Sequence, residues 1–252
     1  MTINPGWPVA LALVLLLAVT LAAHRVSRYG LERPVVVAAL RAVAQLAVAA
    51  LVIAAVVRSL ALSALLLVVM FAIGVLTTTR RVGAPQAWPW AAAAMAAGVL
   101  PVLAVVLATG TIPPEGIAVI PVGGIIVGNA MTAHTLLGRR AFAALEEEHQ
   151  QYEACLSLGL LPAQAIEEIV HRRAPEALLP GLDQVKTTGV VTLPGAFIGV
   201  MLGGGSPVQA ATAQVLVLFG IMAAQTVTVS VGERLIAGRR LLTPVLVGRL
   251  VD

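Results

Sequence analysis

Charge is scarce in this sequence: 11% of its 252 residues are Asp, Glu, Lys or Arg, where a soluble domain carries roughly a quarter. With 59% hydrophobic residues and a mean hydropathy of +0.97, water is not the main solvent of this chain. One cysteine, Cys155, excludes an internal disulfide and a cysteine-based metal cluster. The only lysine, Lys186, follows Val185, so no Gly-x4-Gly-Lys-Ser/Thr loop exists and ATP hydrolysis is expected in a partner chain. His24, His134, His149 and His171 are scattered with no pair at i, i+4, which leaves metal ligands unidentified. No catalytic set emerges. A net charge of +4 does not point to nucleic acid, because the arginines flank apolar runs instead of forming a basic face interleaved with aromatics.

What is present is a series of apolar runs near the roughly 20 residues that a bilayer core demands. They lie at about 7–23, 35–57, 60–79, 91–109, 117–137, 187–203 and 209–231. The expected fold is an all-α membrane protein in the lipid bilayer, a single domain over 1–252 with about seven transmembrane helices. The segment before the first run has no positive charge, unlike a cleaved signal peptide, so that run is expected to stay as a span. Fifteen of the sixteen basic residues fall on one side of this alternation. The positive-inside tendency makes that side cytosolic, with the N-terminus out and the C-terminus in. The basic tail after Gly232 needs only anionic lipid, worth about 1 kcal/mol per arginine.

The long polar stretch, Arg139 to Asp183, holds eight of the twelve acidic residues. Phe142, Leu145, Tyr152, Leu156 and Leu158 recur at helical spacing among Glu146, Glu147, Glu148 and Glu153, and Ile166, Ile169 and Val170 form a second stripe after Pro162. The expectation is an amphipathic cytosolic helical loop at 139–183. Within the predicted spans lie no acids, only uncharged polar groups and Arg41, which disfavours proton coupling. Arg41, Gln45, Asn129, Thr132, Thr187, Thr188, Gln214 and Gln225 are candidates for a hydrophilic translocation path; the alternative is ordinary bonding between helices. Gly124 and Gly128, and likewise Gly195, Gly199 and Gly203, recur every four residues as candidates for close helix packing.

Glu153-Ala154, Gly159 and Ile169 resemble the EAA loop of ATP-binding-cassette permeases, although His171 and Arg172 stand where that loop ends in Leu-Pro. Three longer strings are Gly128-Asn129-Ala130-Met131-Thr132, Lys186-Thr187-Thr188-Gly189 leading to Leu193-Pro194-Gly195, and Leu202-Gly203-Gly204-Gly205-Ser206-Pro207 with Gln214 beyond. From about Arg41 to Glu233 the chain resembles the FetB-type iron-export permease family, which includes plant permease-like proteins linked to aluminium tolerance. The resemblance implies a multi-pass permease of the bacterial inner membrane, active in iron homeostasis and oxidative-stress resistance. It implies a separate cytosolic ABC ATPase subunit carrying ATP-Mg, a homodimer of the permease, and ATPase coupling through Glu153, Ala154, Gly159 and Ile169. Two other readings stay open: an autonomous transporter or channel, and a membrane scaffold that transports nothing.

Overall fold

The computed structural model describes residues 6–250. Six helices are long and apolar enough to cross a membrane: α1 (Trp7–Val26), α2 (Glu32–Val56), α3 (Leu60–Arg81), α4 (Trp88–Ala108), α5 (Gly116–Glu147) and a later helix, Pro207–Ala237. Between the last two lie α6 (His149–Ser157), α7 (Pro162–Arg173), a 3₁₀ turn at Ala174–Ala177, α8 (Leu179–Thr187) and α9 (Gly195–Leu202). The long helix Pro207–Ala237 is α10, and α11 (Pro244–Arg249) follows it. Among the described residues the only β pairing is an isolated bridge between Thr188 and Thr192. The protein is an all-α, multi-pass membrane protein.

Local chemistry sets the helix ends. Pro8, Pro34, Pro162, Pro207 and Pro244 sit in first turns, where a missing N–H costs nothing. Ser206 and Gln209 cap α10 reciprocally: the Ser206 hydroxyl accepts from the Gln209 backbone N–H (3.2 Å), and the Gln209 side-chain Oε1 accepts from the Ser206 N–H (2.8 Å). At its other end the Arg240 N–H donates to the Leu235 carbonyl, with Arg239 in the left-handed region at φ 59°.

The chain divides into two compact units, Met1–Val57 and Arg58–Asp252. The first is the α1–α2 hairpin. Neither helix has a buried residue, so the apolar side chains of both are left to lipid. Its turn closes with Arg28 at φ 54°, where glycine is usual, and the Tyr29 N–H donates to the His24 carbonyl at 3.1 Å.

The second unit packs α3, α4, α5 and α10. Leu67 lies against Gly123 and Val82 against Gly138, so α3 and α5 run parallel. Ile126 lies near Gly220 and Leu137 against Gly232, so α5 and α10 also run parallel. Gly98 meets Ala224 and Thr228 while Val102 meets Gly220, so α4 is antiparallel to α10. Two consecutive long helices that run parallel require the chain to return between them.

That return is the expected sixth span, and it is not one helix. The run 187–203 contains the end of α8, a compact turn and α9. Gly189 sits at φ 88° and donates to the Thr192 carbonyl (2.8 Å), while Pro194 supplies the cap position of α9. Left-handed backbone and a proline that cannot donate break the helix there. The expected second and third spans are both long helices, α2 and α3.

The polar stretch extends the core of the membrane helices beyond their apolar portions. Helix α5 runs on past its apolar portion to Glu147, and Phe142, Leu145, Tyr152, Ile166, Ile169 and Val170 are buried together with Leu241, Leu242, Leu246 and Leu250. The basic tail therefore packs its leucines into this core, and the Tyr152 hydroxyl donates to the Leu250 carbonyl (3.4 Å).

Candidate functional site

Two groups of residues stand out in the second unit: a polar seam between α3, α5, α8 and α10, and the α6–α7 helical turn below it. Helical periodicity builds the seam by placing Asn129, His134 and Thr135 on α5, and Gln214, Gln225 and Thr228 on α10, toward neighbouring helices.

At the middle, the Gln225 amide donates to the Asn129 carbonyl oxygens of backbone and side chain, both at 3.5 Å, while the Asn129 amide donates to the Ile125 carbonyl at 2.9 Å. Gly181 of α8 lies directly against the Gln225 amide, so a side chain there would displace that amide. Three helices thus meet at one glutamine. Gln214, three turns earlier on α10, is buried with its Oε1 unpartnered.

Toward the arginine-rich end, Thr78 of α3 lies 2.9 Å from His134 Nδ1 and 2.8 Å from the Thr135 hydroxyl, which lies 2.8 Å from the Met131 carbonyl. Each hydroxyl has one proton, so one direction satisfies all three bonds: His134 Nδ1–H donates to Thr78, Thr78 to Thr135, and Thr135 to Met131. The reverse direction loses the bond to Met131 and leaves Nε2–H without an acceptor. The arrangement fixes the Nδ1–H tautomer and leaves His134 Nε2 as a buried, unpartnered lone pair. Sequence spacing treats His134 as one of four scattered histidines. Its place in the fifth apolar run was the available signal, since ionisable residues at membrane depth are functional by default.

The other expected path residues are dispersed. Arg41 and Gln45 lie on α2, in the first unit, and are exposed. Thr132 is exposed and donates to the Gly128 carbonyl at 3.0 Å. Thr187 and Thr188 end α8, donating to the Asp183 and Gln184 carbonyls at 2.9 and 2.7 Å. The glycines differ too. A side-chain carbon on Gly124 would meet Met70 at 2.9 Å, whereas Gly128, Gly195 and Gly199 face open space and Gly203 faces only α9 carbonyls. Other tight contacts fall on Gly98, Gly123, Gly138, Gly181, Gly205 and Gly232.

In the helical turn, Glu153, Ala154 and Gly159 are exposed, and Gly159 has φ 90° with nothing beside it. Ile169 is fully buried in the core behind. Flanking the glycine, Leu158 and Leu161 are 81% and 65% exposed, an apolar tip without cover in this chain. The base of the turn is held by the buried Ile166, Ile169 and Val170; at its surface Arg172 and Arg173 donate to the two oxygens of Glu148 (3.0 and 3.1 Å), and Arg140 pairs with Glu176 (3.2 Å). His171 of α7 meets Glu233 of α10 at 2.7 Å, and this hydrogen bond and charge raise the imidazole pKa above its ordinary value.

The family model described as "Uncharacterised protein family (UPF0014)" matches residues 7–240. The chain is 33% identical over 224 residues to the UPF0014 membrane protein STAR2 of Oryza sativa subsp. japonica, covering 88% of this chain and 78% of that one. It is 31% identical over 218 residues to the Probable iron export permease protein FetB of Escherichia coli (strain K12), covering 84% and 83%. Over 109 residues it is 37% identical to the Protein ALUMINUM SENSITIVE 3 of Arabidopsis thaliana, covering 43% and 40%. No solved structure matches. A match along nearly the whole chain, on a membrane fold of parallel helices joined by a broken return, means that this protein belongs to the uncharacterised protein family UPF0014.

Proposed function

We propose that the chain is the membrane-spanning permease of an ABC-type exporter of a metal cation of the iron class, driven by a separate ATPase that docks on the α6–α7 turn. The observation that carries this reading is the pairing of an exposed apolar tip, Leu158, Gly159 and Leu161, with a base locked to α5 and α10. A surface that docks a partner and a core that joins it rigidly to membrane helices are what transmission of a domain movement needs. With no nucleotide loop in the chain, the energy must come from another subunit.

The cation reading has two supports. One is the printed name of the Escherichia coli relative, a probable iron export permease. The other is the chemistry of the seam, where two of the three side chains left with an unpartnered atom, Gln214 Oε1 and His134 Nε2 beside the Thr228 hydroxyl, supply an oxygen and an imidazole nitrogen. Both are donor atoms that borderline first-row cations accept. The open glycine faces of α9 are available to a second copy, in keeping with a homodimer.

Co-expression with candidate ATPase subunits, purification of the complex and ATPase assays in liposomes with and without ferrous iron test the reading. A stable complex with iron-stimulated hydrolysis is expected. A complex indifferent to iron reopens the substrate; cation flux through liposomes holding this chain alone replaces the exporter with an autonomous transporter.

A further inference from the structure

The returning segment carries charge at a depth where sequence reading puts none. Helix α10 serves as a ruler: its apolar portion runs from Pro207 to Glu233, with its midpoint near Gly220. Gly181 of α8 lies against Gln225, while the Gly203–Ser206 turn returns the chain to the start of α10. From Gln225 to Pro207 is roughly 27 Å at 1.5 Å per residue. Helix α8 beyond Gly181 spans about 9 Å and α9 about 10 Å, and the turn between them is folded on itself by the Gly189–Thr192 and Thr192–Thr187 backbone bonds. The two helices cover that distance only by running along α10, so the crossing begins near Leu179, and Asp183 and Lys186 fall beside its middle. On this ruler Asp183, placed by sequence in the cytosolic loop, stands beside the apolar middle of α10.

These charges do not face the protein's own core. Lys186 Nζ lies 3.4 Å from Asp183 Oδ1, and the two side chains are 72% and 68% exposed. Gln184 and Thr187 are exposed with them. Exposed side chains near this depth on the other helices of the unit are uncharged: Leu100 of α4 and Phe219 and Val215 of α10 are apolar, and Thr226 and Thr132 carry only hydroxyls. Charged groups at membrane depth face water or protein instead of hydrocarbon, and broken helices occur where backbone lines a cavity.

We infer that the exposed face of α8 is a wall of the water-filled translocation path, that the Asp183 carboxylate is its cation-binding group, and that Lys186 is the counter-ion which the passing cation displaces. The inference rests on the cation-export reading and names its binding residue. It also explains why the lysine is tethered one turn away: an ammonium at i, i+3 neutralises the carboxylate when no cation is present and swings aside without moving the backbone.

The test is thiol labelling of the full chain in liposomes with a charged, membrane-impermeant methanethiosulfonate on both sides; native Cys155 is buried. Asp183→Cys is expected to react at least tenfold faster than Leu100→Cys, a 63% exposed position at the same depth on α4. In a second arm, anaerobic ferrous iron is expected to slow labelling of Thr187→Cys at least threefold, and to lose this effect once Asp183→Asn is added. Equal rates at positions 183 and 100 overturn the path assignment. Equal protection with and without Asp183→Asn overturns the ligand. Neither arm uses an ATPase, so absence of a partner subunit removes the exporter reading while these outcomes stand.

Discussion

Gly98 of α4 lies against the Ala224 carbonyl and the Thr228 hydroxyl of α10 so closely that only a hydrogen fits between them. Thr228 is fully buried there, and its hydroxyl makes no hydrogen bond. Gly98→Ala therefore forces backbone apart and is expected to cost about 1–3 kcal/mol, read as a lower thermal midpoint in detergent. Gly199→Leu gives the contrast, because nothing lies within 4 Å of that position; its effect on the isolated chain is expected to stay within about 0.5 kcal/mol. Equal loss in both variants contradicts the assignment of close packing to α4 and α10.

The α6–α7 turn is tested by Glu153→Ala and Gly159→Leu. Both positions are exposed, and Gly159 holds a backbone conformation that a leucine resists. Membrane insertion should be normal, while substrate export by the complex with its ATPase falls at least fivefold relative to hydrolysis. Unchanged coupling in both variants removes the docking assignment.

Contact between α7 and α10 is expected to depend on pH. The His171 pKa is raised first by its hydrogen bond to Glu233, then by that carboxylate's charge, with smaller help from Glu167 and Glu168. A raised pKa means that the stabilisation is complete below the ordinary histidine value of about 6.5 and is lost as pH rises through the higher folded value. A spin-label pair on α7 and α10 should show a longer or broader distance at high pH. His171→Gln should flatten that profile; an unaltered profile in this variant assigns the pH response elsewhere.

His134→Phe removes both ring nitrogens but leaves Thr78 free to bond Thr135. One buried hydrogen bond is lost, worth about 1 kcal/mol, so the protein should still fold and assemble. If Nε2 contacts the cargo, export should drop at least tenfold. Full export with the lower stability makes His134 a purely structural link between α3 and α5.

Sequence alone made the long helices legible because an uninterrupted apolar run has few other solutions; the expected 60–79 and 209–231 lie inside α3 and α10. The broken return was hidden because hydropathy averages over Gly189 and Pro194, whose effect is on backbone direction. Sequence likewise put Asp183 in the loop, and the depth inferred for it above rests on Gly181 meeting Gln225, a contact between residues 44 positions apart. The types of polar residue in the seam were visible, whereas the partnership of Gln225 with Asn129 and of His134 with Thr78 needed the register of parallel helices. Helical spacing likewise found Ile169 but could not say that it faces inward.

Helix α5 carries both Asn129 in the seam and Glu147 at its far end, with no break between them. Its one internal proline, Pro121, lies near the opposite end, where a missing hydrogen bond makes bending easiest. From that pivot Asn129 stands roughly 12 Å away and Glu147 roughly 39 Å at 1.5 Å per residue. The helix is thus a reducing lever with a ratio of about three to one. A sway of about 3 Å imposed at Glu147 moves the amide of Asn129 by only about 1 Å. That is enough to part a bond already stretched to 3.5 Å and too little to tear the surrounding packing, so a coarse stroke at the base becomes a fine adjustment inside the membrane.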